Sequence, residues 1–547
     1  MKVLHCVLVT VIIMFALLVA ACGGSTTTTP AATTPASTTP ATTSINPITT
    51  TTTAASPTIA EKDKYGGIWR IVQTAGPSSP IGYVPESAND AMSAASFVLE
   101  AMFKVQRDGK IVPELATSWD VDSQAKTITF HLRKNVKFTD GSDFKAQNVK
   151  WCWDLAAEAK RTPNIASVDV LDDHTVRVNL KNYLNTDVTS FDGGYYSIFS
   201  KASFDKNGID YSRNNVIGTG PFLLKEHVRG SKLVYVRNPN YWNPALPYLD
   251  GVEINIVAEE TVRKMLFEKG DIAMLNVSSQ AAAELIKKNY IYESEGGGTY
   301  GLVPDSANAD SPYANIKVRQ AISYAIDRDA IAEGLGSGIM KPAYQMYQGN
   351  PISALPEGQY LKTEYNPAKA KQLLAEAGYA NGFKTTIHTF TQTVNRDFIT
   401  AIAKMLGDVG IQCDADFPEA GKYQEYRSKG WKNAMLAHGF AALPALLTNP
   451  NGFATWYLPQ NNMTFPSLKR PDGYYEALNA SLQTPTVDPV KVKAAYKIMA
   501  DDFTFICYAE DRVNTFYQKG VHDEGGKIYS RSFFYPEMAW LEASVRK

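Results

Sequence analysis

The stretch Asn315-Ile-Lys-Val-Arg-Gln-Ala-Ile-Ser-Tyr-Ala325 has the apolar spacing of a helix that packs one face against a core. Its apolar residues recur at positions i, i+3, i+4 and i+7, and they are Val318, Ala321, Ile322 and Ala325. A second predicted helix, 366–378, starts with an Asn-Pro pair and ends at a glycine. A third, 398–406, leads through a glycine into a predicted strand at 411–415. This part of the chain therefore alternates helices with strands.

The N-terminal half of the chain alternates in the same way. Runs of β-type pattern bounded by turn residues predict strands at 66–72, 127–132, 136–138, 167–170, 175–180, 232–236 and 252–256. Helical spacing predicts helices at 146–158, 258–269 and 279–287. A chain that mixes the two kinds of element in this order is expected to have an α/β fold.

Length, charge and cysteine usage limit the class of protein. The chain has 547 residues, 44% of them hydrophobic, which is enough for a sizeable core. Its formal net charge of -1 argues against a nucleic-acid partner, which would need a basic face to bind phosphates. Of five cysteines, only Cys152, Cys413 and Cys507 lie in the body, and three buried thiols are expected there, with at most one disulfide. The seven histidines lack metal-ligand spacing, so neither a metal nor a cofactor is expected.

The first 21 residues have the features of a signal peptide for export. A short basic start precedes a nearly unbroken apolar run at 7–19 and then small residues before a cysteine. Leu18-Val-Ala-Ala-Cys22 resembles a bacterial lipobox, which implies cleavage before Cys22 and attachment of a lipid to its thiol. The alternative is an uncleaved membrane anchor, because the apolar run is nearly long enough to span a bilayer. In both cases the body is expected to face the extracytoplasmic space, tethered to the cell membrane.

Residues 22–64 are predicted to form an extended stalk behind the lipid anchor. Between residues 25 and 60 the chain has no charged side chain, sixteen threonines and five prolines. Such a composition cannot bury enough apolar surface to fold. The folded part is therefore expected to start near residue 65.

Several short segments of the body form a recognisable series. They are Ile111-Val-Pro-Glu-Leu-Ala-Thr-Ser-Trp119, Gly218-Thr-Gly-Pro-Phe222, Asn238-Pro-Asn-Tyr-Trp242, Val318-Arg-Gln-Ala-Ile-Ser-Tyr-Ala-Ile-Asp-Arg328 and Tyr365-Asn-Pro-Ala-Lys369. With them the chain resembles the extracellular solute-binding proteins, family 5, of bacterial ABC importers for dipeptides, oligopeptides and nickel. The resemblance implies an α/β, two-lobed periplasmic-binding-protein fold, the Venus-flytrap fold, with an extra subdomain on the first lobe.

The resemblance also implies how the chain is divided. Lobe one is expected to consist of 65–103, 215–305 and 505–547, with the extra subdomain at 104–214 and lobe two at 306–504. Crossings between the lobes are expected near 196–218 and 298–305. A glycine run at the second crossing makes Gly298 and Gly301 the predicted hinge residues.

The function that the resemblance implies is transport without catalysis. The protein is expected to be a monomer that binds a peptide or peptide-like solute and passes it to the permease subunits of an ABC importer. One alternative is the same scaffold binding an oligosaccharide or a metal complex. Another is a surface sensor or adhesin that takes no part in transport.

An enzymatic function finds little support in the sequence. Gly296, Gly298 and Gly301 fit G-x-G-x-x-G, but Pro304 excludes the helix that must follow a dinucleotide-binding motif. The spacing of carboxylates singles out no acid/base pair, so no catalytic residue is assigned. A hydrolase whose catalytic residues lie far apart in sequence is the remaining enzymatic alternative.

The predicted ligand-binding residues are mostly aromatic. In peptide-binding members of the family, a stretch late in lobe two supplies a carboxylate for the ligand's free amine. The corresponding residues here, 435–457, include no acidic side chain, and an unpaired buried ammonium is costly. We therefore expect free dipeptides to bind poorly, unless Glu86 or Asp90 replaces the missing acid, and longer peptides or neutral ligands to bind better. The residues assigned to the site are Tyr83, Tyr195, Tyr196, His438, Phe440, Trp456 and Tyr457.

Other segments of the series are expected to be structural. Gly218 and Gly220 are expected to allow a turn that side chains would block. Arg319 is expected to form an ion pair with Asp327 within the scaffold rather than to touch the ligand.

Overall fold

The described part of the chain begins after the N-terminal segment. The computed structural model describes residues 61–106, 109–350, 352–391, 394–440, 464–529 and 536–546. The predicted signal peptide, Cys22 and almost all of the predicted stalk lie outside these ranges, and so do Trp456 and Tyr457. Within these ranges, no helix is long and apolar enough to cross a membrane.

Helices and strands alternate along the described chain, which confirms the predicted α/β class. The α-helices are α1 (Asn89–Ala95), α2 (Ala146–Glu158), α3 (Asn185–Ser190), α4 (Lys201–Asn214), α5 (Glu260–Lys269), α6 (Ser279–Lys287), α7 (Ile316–Ala325), α8 (Arg328–Ala330), α9 (Pro367–Glu376), α10 (Arg396–Gly407), α11 (Ala420–Lys429), α12 (Tyr474–Leu482), α13 (Pro489–Asp501) and α14 (Glu524–Ile528). The predicted helices at 146–158 and 279–287 have the bounds of α2 and α6.

The strands are of very different lengths. They are β1 (Ile68–Gln73), β2 (Phe103–Val105), β3 (Ile111–Pro113), β4 (Ala116–Asp122), β5 (Thr127–Leu132), β6 (Ile165–Asp172), β7 (Thr175–Leu180), β8 (Phe222–Val228), β9 (Lys232–Arg237), β10 (Gly251–Ile256), β11 (Met274–Val277), β12 (Ile291–Pro304), β13 (Lys341–Pro342), β14 (Phe383–Thr389), β15 (Ile411–Asp416), β16 (Ala434–Phe440), β17 (Ile506–Tyr517), β18 (Val521–Asp523) and β19 (Ala539–Leu541). The two long ones, β12 and β17, organise the fold.

A single large sheet extends to both sides of β12 and β17. Among the described residues it has 11 strands in the order β15-β14-β16-β12-β17-β11-β1-β10-β9-β8, with β13 paired to β17. One end of the β12–β17 pair continues into β16 and the other into β11. The pair therefore joins two half-sheets, and a separate four-stranded sheet, β4-β5-β7-β6, lies within residues 116–180.

The buried apolar side chains form separate clusters on the two half-sheets. The first cluster combines side chains of β1 and β8–β10 with those of the four-stranded sheet, for example Trp69, Phe130 and Tyr235. Two further clusters lie on the other half-sheet, around Ile322 and around Tyr496. Burial of apolar surface is the main favourable contribution to folding, so each half-sheet has its own stabilising core.

The predicted cap of α9 is in place, and α7 has a cap of the same kind. The side chain of Asn315 accepts a hydrogen bond from the backbone N of Lys317 at the start of α7. The side chain of Asn366 accepts one from Lys369 N at 2.9 Å, ahead of Pro367 at the first position of α9. These bonds satisfy backbone donors that the helix itself leaves unpaired.

The predicted strand at 136–138 is wrong. Lys137 forms only an isolated bridge with Asp143. The turn that contains Gly141 starts directly after Phe138, so the chain reverses before a second pair can form. Val136 and Phe138 are buried, which explains the apolar alternation that suggested a strand.

The expected ion pair between Arg319 and Asp327 is also wrong, although Arg319 is structural. Its guanidinium lies 2.8 Å from a carboxylate oxygen of Asp502, which directly follows α13. Asp327 instead caps α8 by accepting a hydrogen bond from Ala330 N. Since Asp502 is distant in sequence, helix periodicity gave no indication of this partner.

Glycine is required at 218 and 220 because the backbone of Val98 lies against them. A Cβ built on Gly218 would lie 2.1 Å from the carbonyl oxygen of Val98, and one built on Gly220 would lie 2.7 Å from it. Gly220 N donates a hydrogen bond to that oxygen at 2.8 Å. The expected steric role of these glycines is confirmed, and it is a close approach between two chain segments.

The three cysteines of the body are free thiols. Cys152 and Cys507 are buried, whereas Cys413 is partly exposed. Burial raises the pKa of each thiol to about 12, so all three are protonated at neutral pH.

Candidate functional site

The carboxyl ends of parallel strands from both half-sheets point towards the middle of the β12–β17 pair. On one side, β11 is parallel to β1 and β10, and its last residue, Val277, pairs with Asn514 of β17. On the other side, β16 is parallel to β14, and its last residue, Phe440, pairs with Thr299 of β12. Ligands of open α/β sheets bind outside the carboxyl ends of the strands. This convergence defines the candidate binding cleft.

The connection at the bottom of this cleft contains a glycine-rich bulge. The pairing of β12 with β17 shifts register between Gly296 and Thr299, and again between Tyr300 and Gly301. A Cβ on Gly297 would lie 2.6 Å from the carbonyl oxygen of Asp511, so the strands approach closely there. Gly298 lies inside the first irregularity and Gly301 at the second. Bulges bend a strand locally, and hinge motion about these two glycines stays a prediction.

Helix α11 covers the ends of β14 and β16 with an aromatic layer. Tyr423 stacks on Phe390, with ring centroids 5.5 Å apart, and on His438 at 6.2 Å. Tyr426, one helical turn later, stacks on His388 at 4.3 Å. Tyr423, Tyr426, His388 and Phe390 were not among the predicted site residues. The sequence signal for two of them was the i, i+3 spacing of Tyr423 and Tyr426, but only the sheet order shows which strand ends their helix covers.

The two site residues predicted at the end of β16, His438 and Phe440, contact each other. Their ring centroids are 4.6 Å apart, and Nδ1 of His438 lies 2.6 Å from the hydroxyl of Tyr423. His438 is only 5% exposed, and burial, helped by the charge of Arg427, lowers its pKa to about 3. The imidazole is therefore neutral at physiological pH and offers an uncharged aromatic face, whereas His388 in the same layer lies 2.7 Å from the carboxylate of Asp416.

The three predicted tyrosines of the N-terminal half lie in the first cluster instead. Tyr83 is buried and stacks on Phe204 at 5.8 Å. Tyr196 packs on Phe191 at 4.4 Å, and Tyr195 lies under the guanidinium of Arg161 at 5.1 Å. Among the described ring contacts, none joins these tyrosines to His438 or Phe440. Contact of any of the five with a ligand stays a prediction.

Glu86 and Asp90, the two carboxylates considered as partners for a ligand's amine, already accept hydrogen bonds within the protein. Glu86 accepts hydrogen bonds from Arg213 at 2.8 and 2.7 Å, and its pKa is lowered by that bond. Asp90 accepts from Ser78 N and Ala91 N, both at 2.8 Å. Each carboxylate would have to give up these partners to bind a ligand's ammonium group.

A buried polar network explains two of the family segments. Glu100 accepts hydrogen bonds from Thr219 at 2.7 Å, from Tyr241 at 2.7 Å and from the indole N–H of Trp242 at 3.0 Å. Next to it, Lys104 bridges Glu114 at 2.9 Å and Glu537 at 2.5 Å. Glu100, Lys104, Glu114 and Glu537 line a common pocket.

The family described as "Bacterial extracellular solute-binding proteins, family 5 Middle" matches residues 110–464 of this chain. The chain belongs to this family. The glutathione-binding protein GsiB of Shigella dysenteriae serotype 1 is 29% identical over 440 residues, which cover 76% of this chain and 83% of GsiB. The same protein of Salmonella choleraesuis is 29% identical over 471 residues, which cover 82% of this chain and 88% of that one.

Two solved structures of solute-binding proteins have the same fold. The periplasmic binding protein DppA of Helicobacter pylori, in complex with the peptide STSA, superposes with a TM-score of 0.70 at 22% identity, covering 88% of this chain and 99% of DppA. NikA of Brucella suis, in complex with Fe(III)-EDTA, gives a TM-score of 0.72 at 20% identity, covering 86% and 99%. The solute-binding protein therefore has the two-lobed periplasmic-binding fold, with the extra subdomain on its first lobe.

Proposed function

We propose that this chain is an extracytoplasmic lipoprotein that binds a peptide or peptide-like solute and delivers it to the permease of an ABC importer. The family gives the general role of solute binding for such importers. The observation that carries the proposal is the convergence of strand ends from both half-sheets on a glycine-rich crossing, with aromatic rings on one side. A site of this kind encloses a small ligand between two rigid halves.

The chemistry of the relatives supports a peptide-like ligand. GsiB is named for glutathione, and DppA was solved with the peptide STSA. Residues 435–457 of this chain have no acidic side chain, and Glu86 and Asp90 are already hydrogen-bonded. The proposed ligand is therefore held through its backbone and side chains rather than through a free amino terminus.

A metal complex is the second candidate ligand. NikA, with a similar fold, was solved with Fe(III)-EDTA, an anionic chelate. The neutral His438 and the nearby charge of Arg427 favour an anion over a cation at the aromatic edge. Calorimetric titration with peptides and with Fe(III)-EDTA distinguishes this candidate from a peptide ligand.

We expect an N-acetylated dipeptide to bind at least about tenfold more tightly than the same dipeptide with a free amine. The reason is that residues 435–457 contain no carboxylate and that Glu86 and Asp90 are already hydrogen-bonded. A desolvated ammonium group left unpaired there costs more than about 1.4 kcal/mol. Isothermal titration calorimetry with the two dipeptides, glutathione, an oligosaccharide and Fe(III)-EDTA measures the order of affinities.

Micromolar binding of the free dipeptide, abolished by acetylation, would contradict this prediction and indicate an amine-anchoring carboxylate. Tight binding of only the chelate would replace the peptide proposal with the second candidate. The control is Arg177→Ala, which removes an exposed ion pair with Asp169 on the four-stranded sheet and is expected to leave affinity within about twofold.

Replacing Cys22 by alanine is expected to release the protein from the membrane or to leave an unprocessed precursor. The physical reason is that acylation of this thiol provides the apolar anchor, whose binding scales with the number of buried methylene groups. Membrane fractionation and the mass of the mature protein report the result. A variant with unchanged processing and membrane retention would show that Leu18-Val-Ala-Ala-Cys22 is not a lipobox.

A further inference from the structure

A short segment of the extra subdomain contacts lobe two away from the crossing strands. The hydroxyl of Tyr183 donates a hydrogen bond to the carbonyl oxygen of Pro485 at 2.7 Å. Nδ2 of Asn185 donates to the carbonyl oxygen of Ser481 at 2.7 Å and lies 2.8 Å from Oγ1 of Thr484. This contact is a second connection between the two halves, distinct from β12 and β17.

The same segment also connects the apolar cores. Tyr183 belongs to the first cluster, whereas Leu184 packs against the cluster around Tyr496 on the other half-sheet. Asn185 is 3% exposed and Tyr183 is 7% exposed. The contact therefore excludes water, so water does not compete for its hydrogen bonds.

Both sides of the contact are ordered by bonds of their own. On the subdomain side, Asp187 accepts from Leu184 N and from Nδ2 of Asn164, both at 2.8 Å, and so fixes the start of α3. On the other side, Asp488 caps α13 and accepts from Val490 N at 2.9 Å. Each surface can therefore separate from the other without unfolding.

One atom of the contact limits its strength. Oδ1 of Asn185 is buried and has no hydrogen-bond partner among the described residues. A buried unpaired acceptor is costly, and separation of the two surfaces would return it to water. The unpaired oxygen therefore offsets part of the gain from the three Nδ2 contacts, with Ser481, Thr484 and Thr486, which suits a contact that opens and closes.

We propose that Tyr183-Leu184-Asn185 and residues 481–488 form a latch that sets the balance between the closed and open forms of the protein. The proposal rests on the proposed function in one respect, that the two lobes separate to admit a solute. The latch stabilises the closed form in the absence of ligand, and a solute shifts the same balance further.

The test measures this balance without any ligand. Cysteines are placed at the exposed positions 182 and 490 in a Cys413→Ser background and are spin-labelled. Pulsed electron paramagnetic resonance then measures the distance between the two labels across the latch. Asn185→Ala is expected to lower the ratio of closed to open molecules about tenfold, and Tyr183→Phe about three- to fivefold, the usual range for losing buried hydrogen bonds. Both variants are expected to keep the wild-type melting temperature within a few degrees.

Asn179→Ala is the matched control. Nδ2 of Asn179 bonds Ser167 and Asp169 within the extra subdomain, each at 2.8 Å, and the residue has no contact with lobe two among the described hydrogen bonds. We expect the wild-type distance distribution for this variant. An unchanged distribution in both Asn185→Ala and Tyr183→Phe would overturn the latch. Since no ligand is added, that result is independent of whether peptides bind in the calorimetric experiment.

Discussion

Replacing Arg319 by alanine is expected to lower the free energy of unfolding by about 3–5 kcal/mol, the range for breaking a buried ion pair from one side. The Arg319 side chain is 1% exposed and that of Asp502 is 17% exposed. The guanidinium also donates to the carbonyl oxygen of Asp502 at 2.9 Å and to that of Tyr313 at 2.7 Å. The variant leaves a carboxylate and three carbonyl oxygens, those of Asp502, Tyr313 and Ala314, without this donor. Unfolding in denaturant followed by circular dichroism measures the loss.

The matched control for this prediction is Arg177→Ala. Arg177 and Asp169 form a pair at 3.1 Å whose side chains are 42% and 40% exposed. An exposed pair contributes only up to about 1 kcal/mol. Equal losses for the two variants would mean that Arg319 does not hold α7 to the end of α13.

Replacing Glu100 by alanine is expected to cost about 3 kcal/mol or more. Three buried donors, from Thr219, Tyr241 and Trp242, lose their acceptor at once, and each buried unsatisfied donor costs about 1–3 kcal/mol. Glu100→Gln is the control, because its amide oxygen still accepts from Trp242 and one hydroxyl, and its NH2 group can donate to the other hydroxyl. The midpoint of thermal unfolding should fall clearly for the alanine variant and little for the glutamine variant at pH 6.

The same carboxyl makes stability depend on pH. Burial, with a contribution from Glu114, raises the pKa of Glu100 to about 8, against opposing effects of Lys104, Tyr241 and Thr219. A raised pKa in the folded state means that the protonated acid is favoured by folding. Its contribution to stability is complete below about pH 4.5, the pKa of an unperturbed Glu, and is lost as the pH rises through about 8.

Glu100→Gln is therefore expected to flatten the decline of unfolding free energy between pH 6 and 9 relative to the wild-type protein. Unfolding curves at a series of pH values in this range measure the slope. An identical slope in the wild-type and glutamine proteins would show that Glu100 is ionised in the folded state throughout the range.

Local sequence chemistry determined part of the secondary structure of this protein, whereas β12, β14, β16 and β17 were not predicted. The bounds of α2, β5, β7 and α6 were predictable because apolar periodicity and turn residues act over a few positions along the chain. The cap at Asn366 was predictable for the same reason. The series of family segments then gave the two-lobed fold and the role in solute binding, which composition alone does not distinguish.

Tertiary structure decided which residues meet. Arg319 pairs with Asp502 and not with Asp327, and Glu100 collects donors from two family segments more than a hundred residues away in the chain. The aromatic layer around His438 depends on α11 crossing the ends of β14 and β16. Such contacts follow from sheet order and register, which place residues from distant segments side by side. A pattern read along one segment contains local spacing only, so it fixes what each element is and leaves its partners to the packing of the whole chain.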